Sequence, residues 1–250
     1  MSTHVTAAYA LAVLGFVVGV ALAARLATVD DVDVDRGKFA YLLIIPGFAG
    51  LSYVLMALNV GVITVGSETI VLPRYVDWLV TTPLLVGYVG YVAGAPRRWI
   101  AGVMAADAAM IVTGGVATVT TGPTKWAFFA VSGTFHLSLF YVLYRVFPGY
   151  AQAFAKRRGL FKLLQNHVGL LWLAYPLVWV VGAPGLGYVS AAGISLVVAY
   201  LDVVAKVPYV YFVWNRRYAF DRDAAEAAVG SASAPPSSGT GAGGTPTADD

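Results

Sequence analysis

The chain has 250 residues, 59% of them hydrophobic and only 12% charged, with a mean hydropathy of +0.74 and a formal net charge of +3. That is more apolar surface than a soluble domain of this size can bury, so the composition specifies an integral membrane protein. The absence of cysteine excludes disulfides, thiolate nucleophiles and cysteine metal sites, and His4, His136 and His167 are too scattered for a His-rich metal centre.

A membrane-spanning helix needs about 20 apolar residues. The chain offers seven such blocks, at about 5–25, 38–58, 73–94, 98–119, 124–146, 160–182 and 190–214. They are long and continuous, unlike the dyad alternation of a membrane β-barrel, and predict an all-α, seven-transmembrane-helix bundle. The first block has no basic residue before its apolar run and is long enough to span, which fits a membrane helix retained in the mature fold better than a signal peptide. The connections read as loops: "TVDDVDVDRGK", "NVGVITVGSETIVLP", "AGAPRRW", "TTGPT", "FPGYAQAFAKRRG" and "GAPGLGYVSAAG". Arg25, Arg36, Lys38, Arg97, Arg98, Arg145, Lys156, Arg157, Arg158, Lys162, Arg216, Arg217 and Arg222, 13 of the 16 basic residues, fall in or beside the first, third and fifth loops and the C-terminal end. The positive-inside rule then places the N-terminus outside and the C-terminus in the cytoplasm. Residues 1–220 form the membrane domain, and the Ser/Gly/Pro/Ala-rich residues 221–250 are expected to be a disordered cytoplasmic tail. The basic rim suits anionic lipid headgroups and carries no nucleic-acid footprint.

Lys206 is the anomaly among the remaining cations. It lies about 16 residues into the last block, where an ammonium costs about 2.5–3.5 kcal/mol on insertion scales. Asp202 stands four residues before it on the same helix face. In "RYVDWLVTTPLL" of the third block, Arg74, Asp77, Trp78 and Thr81 share one stripe. One reading of these charges is a structural ion network between two helices. The other is covalent: a lysine amine withdrawn from water is a competent nucleophile toward an aldehyde, with which it forms a Schiff base. In "LLWLAYPLVW" of the sixth block, Trp172, Tyr175, Pro176 and Trp179 fall on one helix face, an aromatic wall of the kind a bulky aldehyde requires.

Together, "RYVDWLVTTPLL", "WLAYPLVW" and "LDVVAK" resemble the third, sixth and seventh helices of the archaeal rhodopsins, and the resemblance covers residues 1–220 or so. It implies all-trans retinal bound as a protonated Schiff base to Lys206. Asp77 would be the primary counterion and proton acceptor, Asp202 a second counterion held by Tyr53 and Tyr175, and Arg74 their balance on the outer side. Trp78, Thr81, Thr82, Met110, Phe129, Ser132, Trp172, Tyr175 and Trp179 match positions of the retinal pocket. Asp107 matches a carboxylic acid near the ring end of retinal, bonded to Thr82 as a neutral acid that locks two helices.

Proton pumps of this family carry a second carboxylate eleven residues after the counterion. Here that position is Tyr88, about 16 Å farther along the helix, and a tyrosine is a poor proton donor at neutral pH. Pro184 and Ile194 stand where such pumps have glutamates. The resemblance is nearest to sensory rhodopsin I: Ala205 precedes the lysine where sensory rhodopsin II typically has Thr, and His167 matches a histidine that influences Schiff-base proton transfer. His136 reads as a packing residue. The implied function is a phototaxis photoreceptor of the cell membrane rather than an enzyme, with a light-driven outward proton pump as the alternative. The implied partner is a two-helix transducer docking on the sixth and seventh helices, with Tyr200 at a contact position, and homo-oligomerisation stays open.

Overall fold

The computed structural model describes residues 2–28, 37–65 and 68–220. Most of the first loop, Arg36, Arg222 and the tail at 221–250 lie outside the described residues.

Among the described residues seven helical rods follow in chain order: α1 (Thr3–Thr28), α2 (Gly37–Ala57), α3 (Leu72–Val92), α4 (Arg97–Val119), α5, α6 and α7 (Ala191–Asn215). α5 runs from Gly122–Tyr141 through a π turn, Val142–Val146, into a last α turn, Phe147–Ala151. α6 is Ala155–Trp172 continued by Ala174–Val181, and a short 3-10 turn, Arg217–Phe220, follows α7. Six rods are long and apolar enough to cross a bilayer; α3, which carries Arg74 and Asp77 among its apolar residues, is the exception. Its neighbours on both sides cross, and α3 packs along both, so it crosses with them. The protein is a multi-pass membrane bundle, as expected.

Two loops are corrected. The stretch between α2 and α3 contains an antiparallel hairpin, β1 (Val62–Val65) with β2 (Glu68–Val71), pairing Val62 with Val71 and Thr64 with Thr69. Its β-branched residues favour extended backbone, a signal hidden inside a segment read only as the gap between apolar blocks. The fifth loop shrinks to Gln152–Phe154, because α5 continues past Val146 and α6 already starts at Ala155. Pro148 would clash with the carbonyl four residues back in a regular α-helix, and the wider π turn ends just before it. Pro176 likewise offers no N–H to the carbonyl of Trp172, and α6 breaks at Leu173.

The rods form a ring in chain order, closed by α7 packing on α1, with α3 also reaching α6. Leu11, Leu14, Leu137, Leu170 and Leu177 face outward while Lys206, Asp77 and Asp202 are buried, the inversion expected where the solvent is hydrocarbon. At the end carrying Arg97 and Arg98, the guanidinium of Arg157 lies over the rings of Phe154, Phe220 and Tyr91, at 5.1, 5.3 and 5.9 Å. Tyr91 stacks on Phe220, and Tyr88 packs among Tyr41, Tyr91, Tyr209 and Phe220. These rings plug the basic end of the bundle.

Gly94 makes the turn between α3 and α4 with φ of +73°, and the ring of Phe154 occupies the space its Cβ would need. Gly94→Ala combines backbone strain with that collision, so it should destabilise the protein by about 1–3 kcal/mol. The check is a lowered thermal midpoint in purified, lipid-reconstituted protein, with Gly149→Ala, where a Cβ meets nothing, as the control.

Candidate functional site

The buried charges come from the first two turns of α3, at Arg74 and Asp77, and from the middle of α7, at Asp202 and Lys206. Lys206 is 1% exposed, and its Nζ donates to Asp77 Oδ2 at 2.5 Å and lies 3.9 Å from Asp202 Oδ1. The ring of Phe16, from α1, sits with its centroid 5.8 Å from the same nitrogen.

The two carboxylates are held differently. Asp202 accepts from three neutral donors: Tyr53 on α2 at 2.6 Å, Tyr175 on α6 at 2.7 Å, and Trp78 Nε1 on α3 at 3.0 Å. Asp77 accepts from Lys206 and, at 3.1 Å, from Thr81, whose hydroxyl also lies 2.8 Å from the Asp77 carbonyl. Arg74 completes the set of two buried cations and two buried anions, but among the described residues it makes no ion pair with either carboxylate. Its Nη2 donates to the Tyr9 hydroxyl at 2.7 Å, and its Nε has no partner. Tyr9 in turn packs edge-on against Tyr53, which links Arg74 to the Asp202 cluster through an aromatic pair.

Beside this cluster lies a cavity of about 1160 Å³. Trp78, Thr82, Met110, Phe129, Ser132, Trp172, Tyr175 and Trp179, all expected from sequence, line it. Thr81, Tyr53, Asp107 and Lys206 stand behind its walls, with Trp78 and Tyr175 bonding Asp202 across the partition. Trp179 stacks on Phe129 at 4.4 Å and donates to Thr118, which also bonds Tyr75.

Asp107 Oδ2 lies 2.6 Å from the Thr82 hydroxyl, which also lies 2.8 Å from the Trp78 carbonyl. Thr82 thus shares its one hydrogen between the two acceptors, and its bond to Asp107 joins α3 to α4. His167 is on α6 with Nε2 3.2 Å from the Ala205 carbonyl. The adjacent Val204 carbonyl, which His167 also meets, has no helical N–H partner because the residue four positions on is Pro208.

Sequence reasoning missed Tyr9, Phe16, Thr118 and the position of His136. His136 lines the cavity with Nδ1 3.2 Å from the Met110 sulfur and a buried, unpartnered Nε2. Tyr9 and Phe16 belong to the inward stripe Val5, Tyr9, Ala12, Phe16, Gly19, Ala23 and Leu26 of α1, which the almost uniformly apolar sequence of that helix does not mark.

The family model of bacteriorhodopsin-like proteins matches residues 3–220, nearly all of the described chain. The chain belongs to that family. A sensory rhodopsin of Halorubrum sodomense is 56% identical over 220 residues, 88% of this chain and 87% of that protein. Sensory rhodopsin-1 of Halobacterium salinarum is 54% identical over 216 residues, 86% of this chain and 90% of that protein. Among solved structures, cyanorhodopsin from Calothrix sp. NIES-2098 superposes with a TM-score of 0.84 at 29% identity, covering 88% of this chain and 99% of its own. The matched residues include Lys206, Asp77 and most of the side chains that line the cavity.

The Thr82–Asp107 link can be tested alone. Thr82→Val leaves both Asp107 oxygens without a partner and should cost about 1–3 kcal/mol. Adding Asp107→Leu to that variant should recover part of the loss, measured as a double-mutant cycle in thermal unfolding.

Proposed function

We propose that this protein is a retinal photoreceptor of the sensory rhodopsin I type, signalling from the cell membrane to a transducer, and not an enzyme. One observation carries the reading: a buried lysine amine in direct contact with a single carboxylate, Nζ to Asp77 Oδ2 at 2.5 Å, at the wall of a large aromatic cavity. Buried among hydrocarbon, such an amine needs a partner or a modification, and its position fits an elongated apolar aldehyde reaching Nζ past Trp78 and Tyr175. All-trans retinal attached there supplies visible absorption and a light-driven change of shape.

The residues divide the remaining work. Lys206 Nζ carries a proton, and Asp77 Oδ2 is placed to receive it. Asp202 is the poorer acceptor, because Tyr53, Tyr175 and Trp78 already occupy its lone pairs and Nζ is farther away. Trp172, Trp179, Phe129 and Met110 confine the chromophore, with Ser132 on the same wall and Thr81 and Thr82 steadying the two acids. Arg74 offsets the carboxylate pair through space. His167 ties α6 to the turn that carries Lys206, so it can modulate proton transfer through the position of Nζ.

Sensing is favoured over pumping by the basic end. Tyr88, where a pump carries a proton-donating carboxylate, is buried with its hydroxyl unpartnered inside the aromatic plug, and no carboxylate replaces it there among the described residues. Slow return of the proton to Nζ follows, which suits a long-lived signalling state. The basic end faces the cytoplasm in this reading, and the transducer has two membrane helices that pack on α6 and α7, where Tyr200 is exposed.

Lys206→Ala should abolish the visible band of retinal-reconstituted protein, and borohydride under illumination should bleach the wild type irreversibly. A visible band in the alanine variant overturns the assignment. Asp77→Asn should move the band to longer wavelength, because negative charge near Nζ stabilises the ground state more than the excited state; an unchanged spectrum removes Asp77 from the counterion role. Sustained light-driven acidification of cells, undiminished by a co-expressed transducer, would replace the sensor reading with the pump.

A further inference from the structure

We propose that Thr118, on the last turn of α4, is a positioning residue for the chromophore: its hydroxyl fixes Trp179 and, through Tyr75, steadies Trp78 beside Asp202. This rests on the retinal reading above. Thr118 is 5% exposed. Its hydroxyl takes the Trp179 Nε1 hydrogen at 3.0 Å, meets the Tyr75 hydroxyl at 2.8 Å and lies 3.1 Å from the Gly114 carbonyl. All three contacts close together when Tyr75 donates to Thr118 and Thr118 gives its own hydrogen to Gly114.

The first contact supplies what packing cannot. Trp179 stacks on Phe129 with the rings 18° apart and meets Trp126 edge-on, both from the start of α5. Stacking sets the plane of an indole but leaves it free to turn within that plane, whereas a hydrogen bond is directional. The bond to Thr118 therefore selects one orientation of a ring that walls the cavity. α4 and α6 are not adjacent in the ring of helices, so this bond also crosses the interior of the bundle at its hairpin end.

The second contact carries the position onward. Tyr75 meets Trp78 edge-on, with centroids 5.6 Å apart, and Trp78 Nε1 donates to Asp202 at 3.0 Å. Trp179, Thr118, Tyr75 and Trp78 all line the cavity, so one continuous series of contacts runs along its wall to the carboxylate beside Lys206. Each link is a contact between packed or bonded side chains, the kind of network through which positions can couple. Thr118 is the member that joins the series to α6, and without its hydroxyl both the Trp179 N–H and the Tyr75 O–H lose their bond to it.

The test compares substitutions that separate shape from hydroxyl. Thr118→Val keeps the shape and removes the hydroxyl; Thr118→Ser keeps the hydroxyl and removes the methyl. Ultraviolet resonance Raman of full-length, lipid-reconstituted protein reports indole N–H bonding, and subtracting spectra of Trp179→Phe or Trp78→Phe assigns the signal. Before retinal is added, Thr118→Val should lose the bonded signal of Trp179 and Thr118→Ser should keep it. After retinal is added, Thr118→Val should displace the visible band and Thr118→Ser should hold it at the parent position. Thr118→Ala serves in place of the valine variant should that fail to fold. Thr118→Val and Tyr75→Phe should each alter the Trp78 signal, and together no more than either alone, because they break the same series. An unchanged Trp179 signal in Thr118→Val, or a visible band moved equally by valine and serine, overturns the proposal. Additive effects of Thr118→Val and Tyr75→Phe overturn the link to Trp78. A Trp179 signal that follows the hydroxyl, with no visible band in any protein that retains Lys206, would sink the photoreceptor reading and leave the tie standing.

Discussion

The structure is organised around an ammonium held in oil. Lys206 is stable at its depth because Asp77 touches it and Asp202 stands behind, while Arg74 restores neutrality to the group. Removing one member of such a set leaves an uncompensated buried charge, worth about 3–5 kcal/mol. Five of the seven helices contribute side chains to the arrangement: Tyr9 from α1, Tyr53 from α2, Asp77 from α3, Tyr175 from α6 and Lys206 from α7. The bundle is thus cross-linked at one level by polar contacts, in a setting where apolar contact with lipid and with protein are nearly equivalent and give little drive for helices to associate.

The ends of the bundle complement this centre in opposite ways. Toward the hairpin, a roomy cavity and the polar side chains of Tyr9, Arg74 and Thr118 extend from the ion group. Toward the basic end, Tyr41, Tyr88, Tyr91, Tyr209, Phe220 and Arg157 form a dense aromatic closure. A proton leaving Lys206 therefore has a carboxylate beside it and only packed rings beyond it on the other side. That asymmetry, more than any single residue, gives the photoreceptor reading its slow recovery.

The seven spans were legible because a bilayer demands long apolar runs, and the ion group was legible because charges inside such runs are few and costly. Asp202 accepts from Tyr53 and Tyr175, Thr82 bonds Asp107, and Trp78, Trp172 and Trp179 line the cavity. Arg74 was less well foreseen, since sequence gives its stripe but not that its fork turns to Tyr9. Helix faces without charge were harder still. In α1 the inward and outward residues are almost equally apolar, so hydrophobicity could not distinguish Phe16, which touches the lysine, from Leu14, which faces lipid. The hairpin and the extension of α5 were hidden for a different reason: short β-branched runs and a proline look like loop when the eye is set to 20-residue blocks.

The break in α6 gives that rod two halves with separate attachments to α7. The half from Ala174 to Val181 holds Asp202 through Tyr175, and the half before Leu173 holds the Ala205 carbonyl through His167. The two attachments straddle the last turn before Lys206, one on each side of the break. Each half of α6 is therefore fastened by its own side chain to the one turn of α7 that ends at Lys206.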